Sequence, residues 1–290
     1  MRLIPIFLPD HLRPHVHAMW VFESATGLPS GDARIVVPNG RAKLIIPWRN
    51  GLTAEGQGRR QVHPEGNAVL IGVWDKPTVI SSTQEPTVSI GIEFVPGGLR
   101  RFVDVPIGDL EQRIEPIGNV LGALGDRLAR QVAAAETIRE AVDLVSRFLD
   151  DRFRALNRPS RLASDEAIRL MVASGFKVEV GDLERQLGYS RRHLLTLFQR
   201  DVGMAPKRLI SILAFERLYR AFSQHRSTAL LRDDALDVFY DQSHFIRHFR
   251  RFTGTTPSHF ADLGNEFGRL FYRQTPSDIL EPRANAPTRR

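Results

Sequence analysis

The sequence predicts an α+β protein. A β-rich sandwich or barrel occupies residues 1–118, amphipathic linker helices occupy 119–158, and an all-α region with one helical unit in two copies occupies 160–262, ahead of a tail at 263–290. Three observations lead there. Residues 1–118 hold 13 of the 22 glycines, 12 of the 18 prolines and all three tryptophans, the punctuation of short strands and turns. From Val120 the apolar residues switch to three- and four-residue spacing, the period of a helix. A stretch of the helical region then recurs 51 residues further along. At 290 residues the chain is about twice an ordinary domain, which suits this division.

The chain opens on an apolar stretch broken by Pro5 and Pro9 and followed by no small-residue cleavage site, so no signal peptide is expected. No run of 18 apolar residues exists, so no membrane partner is expected either, and the protein is placed in the cytoplasm. β-type runs follow at His17–Phe22, Ala33–Val37, Lys43–Trp48, Ala68–Trp74, Thr78–Ser82 and Thr87–Val95, separated by turns such as Pro38-Asn39-Gly40 and Arg49-Asn50-Gly51. Leu121, Leu124, Leu128 and Val132 mark the buried face of a first helix; Ile138, Val142, Val145 and Leu149 mark that of a second. These two helices either pack on the β domain or form a dimer seam, and Asn157-Arg158-Pro159-Ser160 reads as a linker.

Composition excludes several classes. There is no cysteine, hence no disulfide scaffold, no thiolate metal site and no thiol nucleophile. The net charge is +7, and only four of the 40 basic residues are lysine. Residues 1–160 carry 19 basic and 18 acidic groups, whereas 161–260 carry 16 and 11, so the excess sits in the helical region where a polyanion would need it.

In the repeat, Leu194, Phe198, Arg200, Gly203, Pro206 and Leu209 match Phe245, Phe249, Arg251, Gly254, Pro257 and Phe260. Each copy reads as a helix closed by glycine and followed by a proline that cannot continue it. Upstream of the first copy, Asp182 caps a short helix that buries Leu183 and Leu187, Gly188 makes the turn and Ser190 caps the next helix. That order is a helix-turn-helix. In its second helix Leu194, Leu197 and Phe198 face inward, which leaves Arg192, Leu195, Thr196 and Gln199 as an outer stripe. The second copy buries Phe245, Phe249 and Phe252 and presents Ser243, Ile246, Arg247 and Arg250. A helix with such a face fits the major groove of double-stranded DNA. Arg192, Thr196, Ser243 and Arg247 are the candidates for base contacts, and Arg191, His193, Gln242, His244 and Arg251 for phosphate contacts.

These residues resemble the AraC-type family of transcription regulators. Leu187-Gly188-Tyr189-Ser190 with Leu194, Phe198, Gly203 and Pro206 follows the family's first helix-turn-helix, and residues 241–257 are similar to its signature stretch almost residue for residue. The match covers roughly residues 165–262. It implies that Lys207–Ser223 is a long helix holding two reading heads apart, so that one chain enters successive major-groove segments. Residues 1–118 more weakly resemble the cupin-like N-terminal domain of some such regulators, through Arg13-Pro14-His15, Trp20 and Val37-Pro38-Asn39-Gly40 with Leu44-Ile45-Ile46. That likeness implies small-molecule sensing or dimerisation. Candidate partners are therefore DNA, RNA polymerase, a small-molecule effector and a second copy of the chain. One departure stands out: the second unit reads Val238-Phe239-Tyr240-Asp241 where the family carries glycine, and Asp233–Asp237 before it is acidic.

Other chemistries fit less well. His15 and His17, with Glu23 and His63, suggest a cupin-like metal-dependent enzyme, but Glu23 is farther along than the usual spacing and no second histidine motif follows; no cofactor, metal site or catalytic residue is assigned. The altered second turn leaves open an interaction module that no longer binds DNA. Gly56-Gln57-Gly58 lacks the third glycine of a nucleotide fingerprint, and Gly97-Gly98 lacks a P-loop lysine. Trp20, Trp48 and Trp74 either line a ligand pocket or fill a core.

Overall fold

Alternating residues give the central strands at Val16–Ser24, Lys43–Arg49 and Thr87–Phe94 two unlike faces, one in the main core and one toward the space between the sheets. The structure, a computed structural model, describes residues 1–28, 33–56, 58–82, 85–159, 162–225 and 242–274. Among the described residues, ten strands form two antiparallel sheets. They are β1 (Arg2–Ile6), β2 (Val16–Ser24), β3 (Ile35–Val36), β4 (Lys43–Arg49), β5 (Leu52–Gly56), β6 (Arg59–His63), β7 (Val69–Ile71), β8 (Thr78–Ser81), β9 (Thr87–Phe94) and β10 (Ile114–Pro116). The larger sheet runs β1-β2-β9-β4-β7-β10 and the smaller β3-β8-β5-β6.

Each of the six expected β runs contains a strand, though Ala33–Val37 and Ala68–Trp74 shrink to β3 and β7. Four strands carry too weak a pattern to read. Pro5 lies within β1, which is tolerated because β1 is an edge strand with one unpaired side. β5 and β6 are polar, and the edge strand β6 presents Arg59, Arg60 and Val62 to solvent. β10 has only three residues.

Along β4, Leu44, Ile46 and Trp48 enter the main core while Lys43, Ile45 and Pro47 face the space between the sheets. In β2 the pairing register shifts between Val16 and Ala18, a bulge at His17. The bulge turns Val16 to the core and sets His17 beside Trp20 and Phe22 on the inter-sheet side.

Helices cover the outer face of the larger sheet. α1 (Ile117–Leu121) ends at Gly122, whose positive φ of 57° breaks the helix before α2 (Ala123–Ala134) begins. The break resets the phase, so Leu128 and Val132 are buried as expected but Leu124 stays 44% exposed. α3 (Ile138–Leu156) buries Val142, Val145 and Leu149 and stops at Asn157 in the left-handed region. The C-terminal helices are α4 (Ala163–Ala173), α5 (Val180–Leu187), α6 (Arg191–Asp201), α7 (Pro206–His225), α8 (Gln242–Thr253), α9 (Pro257–Asp262) and α10 (Glu266–Gln274). One continuous core joins the larger sheet, α2, α3 and α4–α9, with Leu209, Ile212 and Leu213 of α7 against Gly40. Among the described residues, no helix is long and apolar enough to cross a membrane.

Candidate nucleic-acid interface and cavity

The first helix-turn-helix forms where the residues require it. Gly188 closes α5 at φ 68°, a left-handed turn that costs other residues about 1 kcal/mol or more. Ser190 then caps α6, accepting a hydrogen bond from the His193 amide at 3.2 Å. One local expectation is corrected: Asp182 is not the N-cap. Helix α5 starts earlier, at Val180, and Asp182 occupies its third position, where it accepts from the Glu179 amide at 3.3 Å.

Leu194, Leu197 and Phe198 are buried, whereas Arg191, Arg192, His193, Leu195, Thr196 and Gln199 are exposed. No acidic residue lies in the first turn of α6, so its free amides and two arginines form a cationic end. Thr196 spends its hydroxyl proton on the Arg192 carbonyl at 3.0 Å and presents only lone pairs outward. His193 packs edge-on against Tyr189 at 4.9 Å.

The second copy reproduces the plan. Phe245, Phe249 and Phe252 of α8 are buried, and Ser243, Arg247 and Arg250 are exposed. Gln242 and His244 belong to α8, but their side chains lie outside the described residues, as do the altered turn Val238–Asp241 and the acidic Asp233–Asp237. Both copies close alike, at Gly203 (φ 88°) and Gly254 (φ 84°), with Pro206 and Pro257 opening α7 and α9.

Both helices touch an acidic lip of the β domain. Arg251 donates to Asp75 at 3.1 Å, and Gln112 holds the other Asp75 oxygen at 3.2 Å. Arg208, in the first turn of α7, pairs with Glu111 and lies 3.8 Å from Asp75. Gln199 of α6 donates to Glu111 at 3.3 Å. In this state, then, the phosphate candidate Arg251 is occupied by a carboxylate.

A cavity of about 150 Å³ lies between the two sheets and is closed by α7 and α10. Trp20, Phe22, Ile45, Trp74, Phe267 and Phe271 give it apolar walls. Trp20 and Phe271 meet edge-on at 5.0 Å, and Phe22 and Phe267 at 5.5 Å. Asn265 fixes α10 by bonding both the amide (3.0 Å) and the carbonyl (2.8 Å) of Ile35. Gly91 is required beside it, because a Cβ there would meet the Trp20 ring at 2.1 Å. Of the three tryptophans, Trp20 and Trp74 line the cavity. Trp48 does not: strand alternation turns it away from Pro47 into the core, where Arg49 covers its ring at 3.8 Å.

At the polar end, Glu93 accepts from Asn39 (2.7 Å) and pairs with Lys43 (3.3 Å), and Glu216 of α7 pairs with Arg41 and with Arg220 (3.4 Å). Burial opposes ionisation of Glu93, but the charges of Lys43 and Arg41 and the Asn39 bond together outweigh it and hold the carboxyl at about 2. Burial, reinforced by Arg41, lowers His17 to about 3 and keeps it neutral.

The suggested metal constellation is not assembled. His15 stacks on Phe153 at 5.2 Å, Glu23 pairs with Arg2 at 2.6 Å, and only His17 and His63 line the cavity. Among the described residues, no three histidine, aspartate or glutamate side chains stand together as a metal would need.

Sequence reasoning missed Arg41, Glu93, Glu216 and Arg220. A signal existed: Glu216 falls within, and Arg220 directly after, the apolar pattern running from Leu209 to Tyr219, at buried positions where a charge is costly unless paired.

Residues 183–262 match a family model described as a helix-turn-helix domain, and residues 7–116 match a domain of unknown function, DUF6597. No curated protein matches the chain. Among solved structures the chain is similar to ToxT from Vibrio cholerae in a 1.65 Å structure, at 12% identity and TM-score 0.47, covering 84% of this chain and 97% of that one. It is also similar to unsaturated fatty acid bound ToxT from Vibrio cholerae strain SCE256, at 13% identity and TM-score 0.44 over 84% and 94% of the two chains. The AraC-like transcriptional activator CuxR aligns at 19% identity and TM-score 0.26 over 71% and 74%.

The matched model and the two helices with exposed outer faces mark residues 183–262 as a helix-turn-helix domain. Ahead of it, residues 7–116 form a separately matched β-rich domain.

Proposed function

We propose that the chain reads a specific DNA sequence with α6 and α8 in successive major-groove segments, under the control of a small molecule bound in the inter-sheet cavity. The observation that carries this is the doubled unit, two helices with buried inner faces, basic outer stripes and the same glycine-proline exit. In this reading residues 1–118 sense, 119–158 link and carry the dimer seam, 160–262 bind DNA, and 263–274 close the cavity.

Arg192, Thr196, Ser243 and Arg247 contact bases, with Thr196 accepting from a base amino group because its proton is already used. Arg191 and His193 at the start of α6, with Gln242 and His244 at that of α8, hold phosphates, and Arg251 joins them on leaving Asp75. The chain acts by binding DNA, RNA polymerase and its own copy, and not by catalysis.

Genomic footprinting and then titration of the footprinted site test the reading. Arg247→Ala is expected to cost about 1–3 kcal/mol and to relax preference at one base position. Unchanged affinity and unchanged base preference would remove Arg247 from the reading face.

A further inference from the structure

The cavity specifies its occupant more narrowly than an effector site in general, and the assignment made for it rests on its being that site. Its volume, about 150 Å³, is well below the roughly 300–1,000 Å³ of pockets for larger ligands. An apolar cavity of about 150 Å³ engineered in another protein takes up benzene, which sets the scale at one ring. The walls are aromatic on several sides, with Trp20 and Phe22 from β2, Trp74 after β7, and Phe267 and Phe271 from α10.

The polar end adds a direction. The His17 side chain is only 3% exposed, and its Nε2 has no hydrogen-bond partner among the described residues. Glu93 Oε2 faces that nitrogen at 3.8 Å, beyond hydrogen-bond length, while Oε1 is taken by Asn39 and Lys43. Both side chains line the cavity. A single oxygen can lie within bonding distance of the two. It must donate to the carboxylate and accept from the imidazole N–H, which a hydroxyl does and a ketone or ether cannot. A carboxylate placed there would face Glu93 as a like charge in a buried site. The other charges are already matched, Arg41 and Arg220 on Glu216 and Lys43 on Glu93.

We propose that the cavity binds a monocyclic aromatic alcohol, its ring among Trp20, Trp74 and Phe271 and its hydroxyl between His17 Nε2 and Glu93.

The test uses the full chain and four probes, 4-methylphenol, 4-methylbenzoate, cyclohexanol and decanoate, with tryptophan fluorescence and thermal unfolding as readouts. Saturable binding of 4-methylphenol at least tenfold tighter than each of the other three is expected. His17→Leu, which removes the polar anchor, and Ala54→Leu, which fills cavity volume away from it, should each weaken 4-methylphenol at least tenfold. Unfolding of the unliganded variants checks their folding, and the wild-type ranking decides the matter even where a variant fails to fold. Tighter binding of decanoate or 4-methylbenzoate, or no saturable binding of 4-methylphenol, overturns the assignment. Footprinting without any probe judges DNA reading separately, so a failed ligand and a failed regulator are told apart.

Discussion

Glu216 is fully buried and is the carboxylate for two arginines, Arg41 at 1% side-chain exposure and Arg220 at 10%. Arg41 belongs to the β domain and Glu216 to α7, so the ion pair also bridges the two halves. Replacing Glu216 with leucine would take from two buried guanidinium groups the carboxylate they share. Removing one partner of a buried pair costs about 3–5 kcal/mol, because the charge left behind keeps its desolvation penalty. For a chain of this size each kcal/mol moves the midpoint by roughly 2–4 °C, so Glu216→Leu should lower it by about 10 °C. The triple variant Arg41→Met/Glu216→Leu/Arg220→Leu removes both guanidinium charges as well and should recover most of that loss, since apolar replacements of buried ion sets are often neutral or stabilising. Urea titration and calorimetry of the variants give the numbers. A Glu216→Leu protein within about 0.5 kcal/mol of the wild type would refute the reasoning, and so would a triple variant less stable than the single one.

The same geometry sets two further outcomes. His17 stays neutral in the fold to about pH 3, whereas the unfolded chain protonates it near 6.5, so the unfolded state binds more protons between these values. Stability should therefore fall as pH drops below 6.5, by roughly 1 kcal/mol per unit from this residue, with His15 and His63, also lowered by burial, adding in the same direction. Glu93 adds to the loss only below its ordinary value of 4.5. Urea midpoints between pH 7 and 5 should slope accordingly, and a His17→Asn protein with the same slope would show that another group is responsible. At the acidic lip, Asp75→Asn removes the charge that holds Arg251 and Arg208. Affinity for random-sequence DNA should then rise several-fold at low salt, with a salt dependence steeper by about one counterion. Equal affinity and slope would mean that Asp75 does not compete with phosphate.

Helices α6 and α8 were legible because their information is local. A serine cap, a glycine turn and apolar residues three and four apart fix α6 without reference to the rest of the chain, and the repeat fixes α8 by analogy. The cap of α5 was misplaced by three positions because either Glu179 or Asp182 could begin that helix, and the choice depends on how α5 docks. The cavity was largely invisible for the opposite reason. Its residues come from strands of both sheets and from α7 and α10, and on the strands parity decides which face each shows. Trp20 and Trp48 look alike in sequence yet point to different layers. His15 and His17 part because His15 lies in the turn before β2 and His17 sits at the bulge inside it. Leu124 was misjudged because Gly122 interrupts the helical phase.

The stitch between Asn265 and Ile35 spans 230 positions of sequence, and it orders the events of synthesis. The β domain emerges first, but Trp20 and Phe22 lack their cover until Phe267 and Phe271 leave the ribosome. The β domain therefore cannot finish its core as an independent early unit, in contrast to the usual domain-by-domain order. A chain stopped at residue 262 would keep both α6 and α8 and still release an open-sided sandwich. Closure of that side waits on α10.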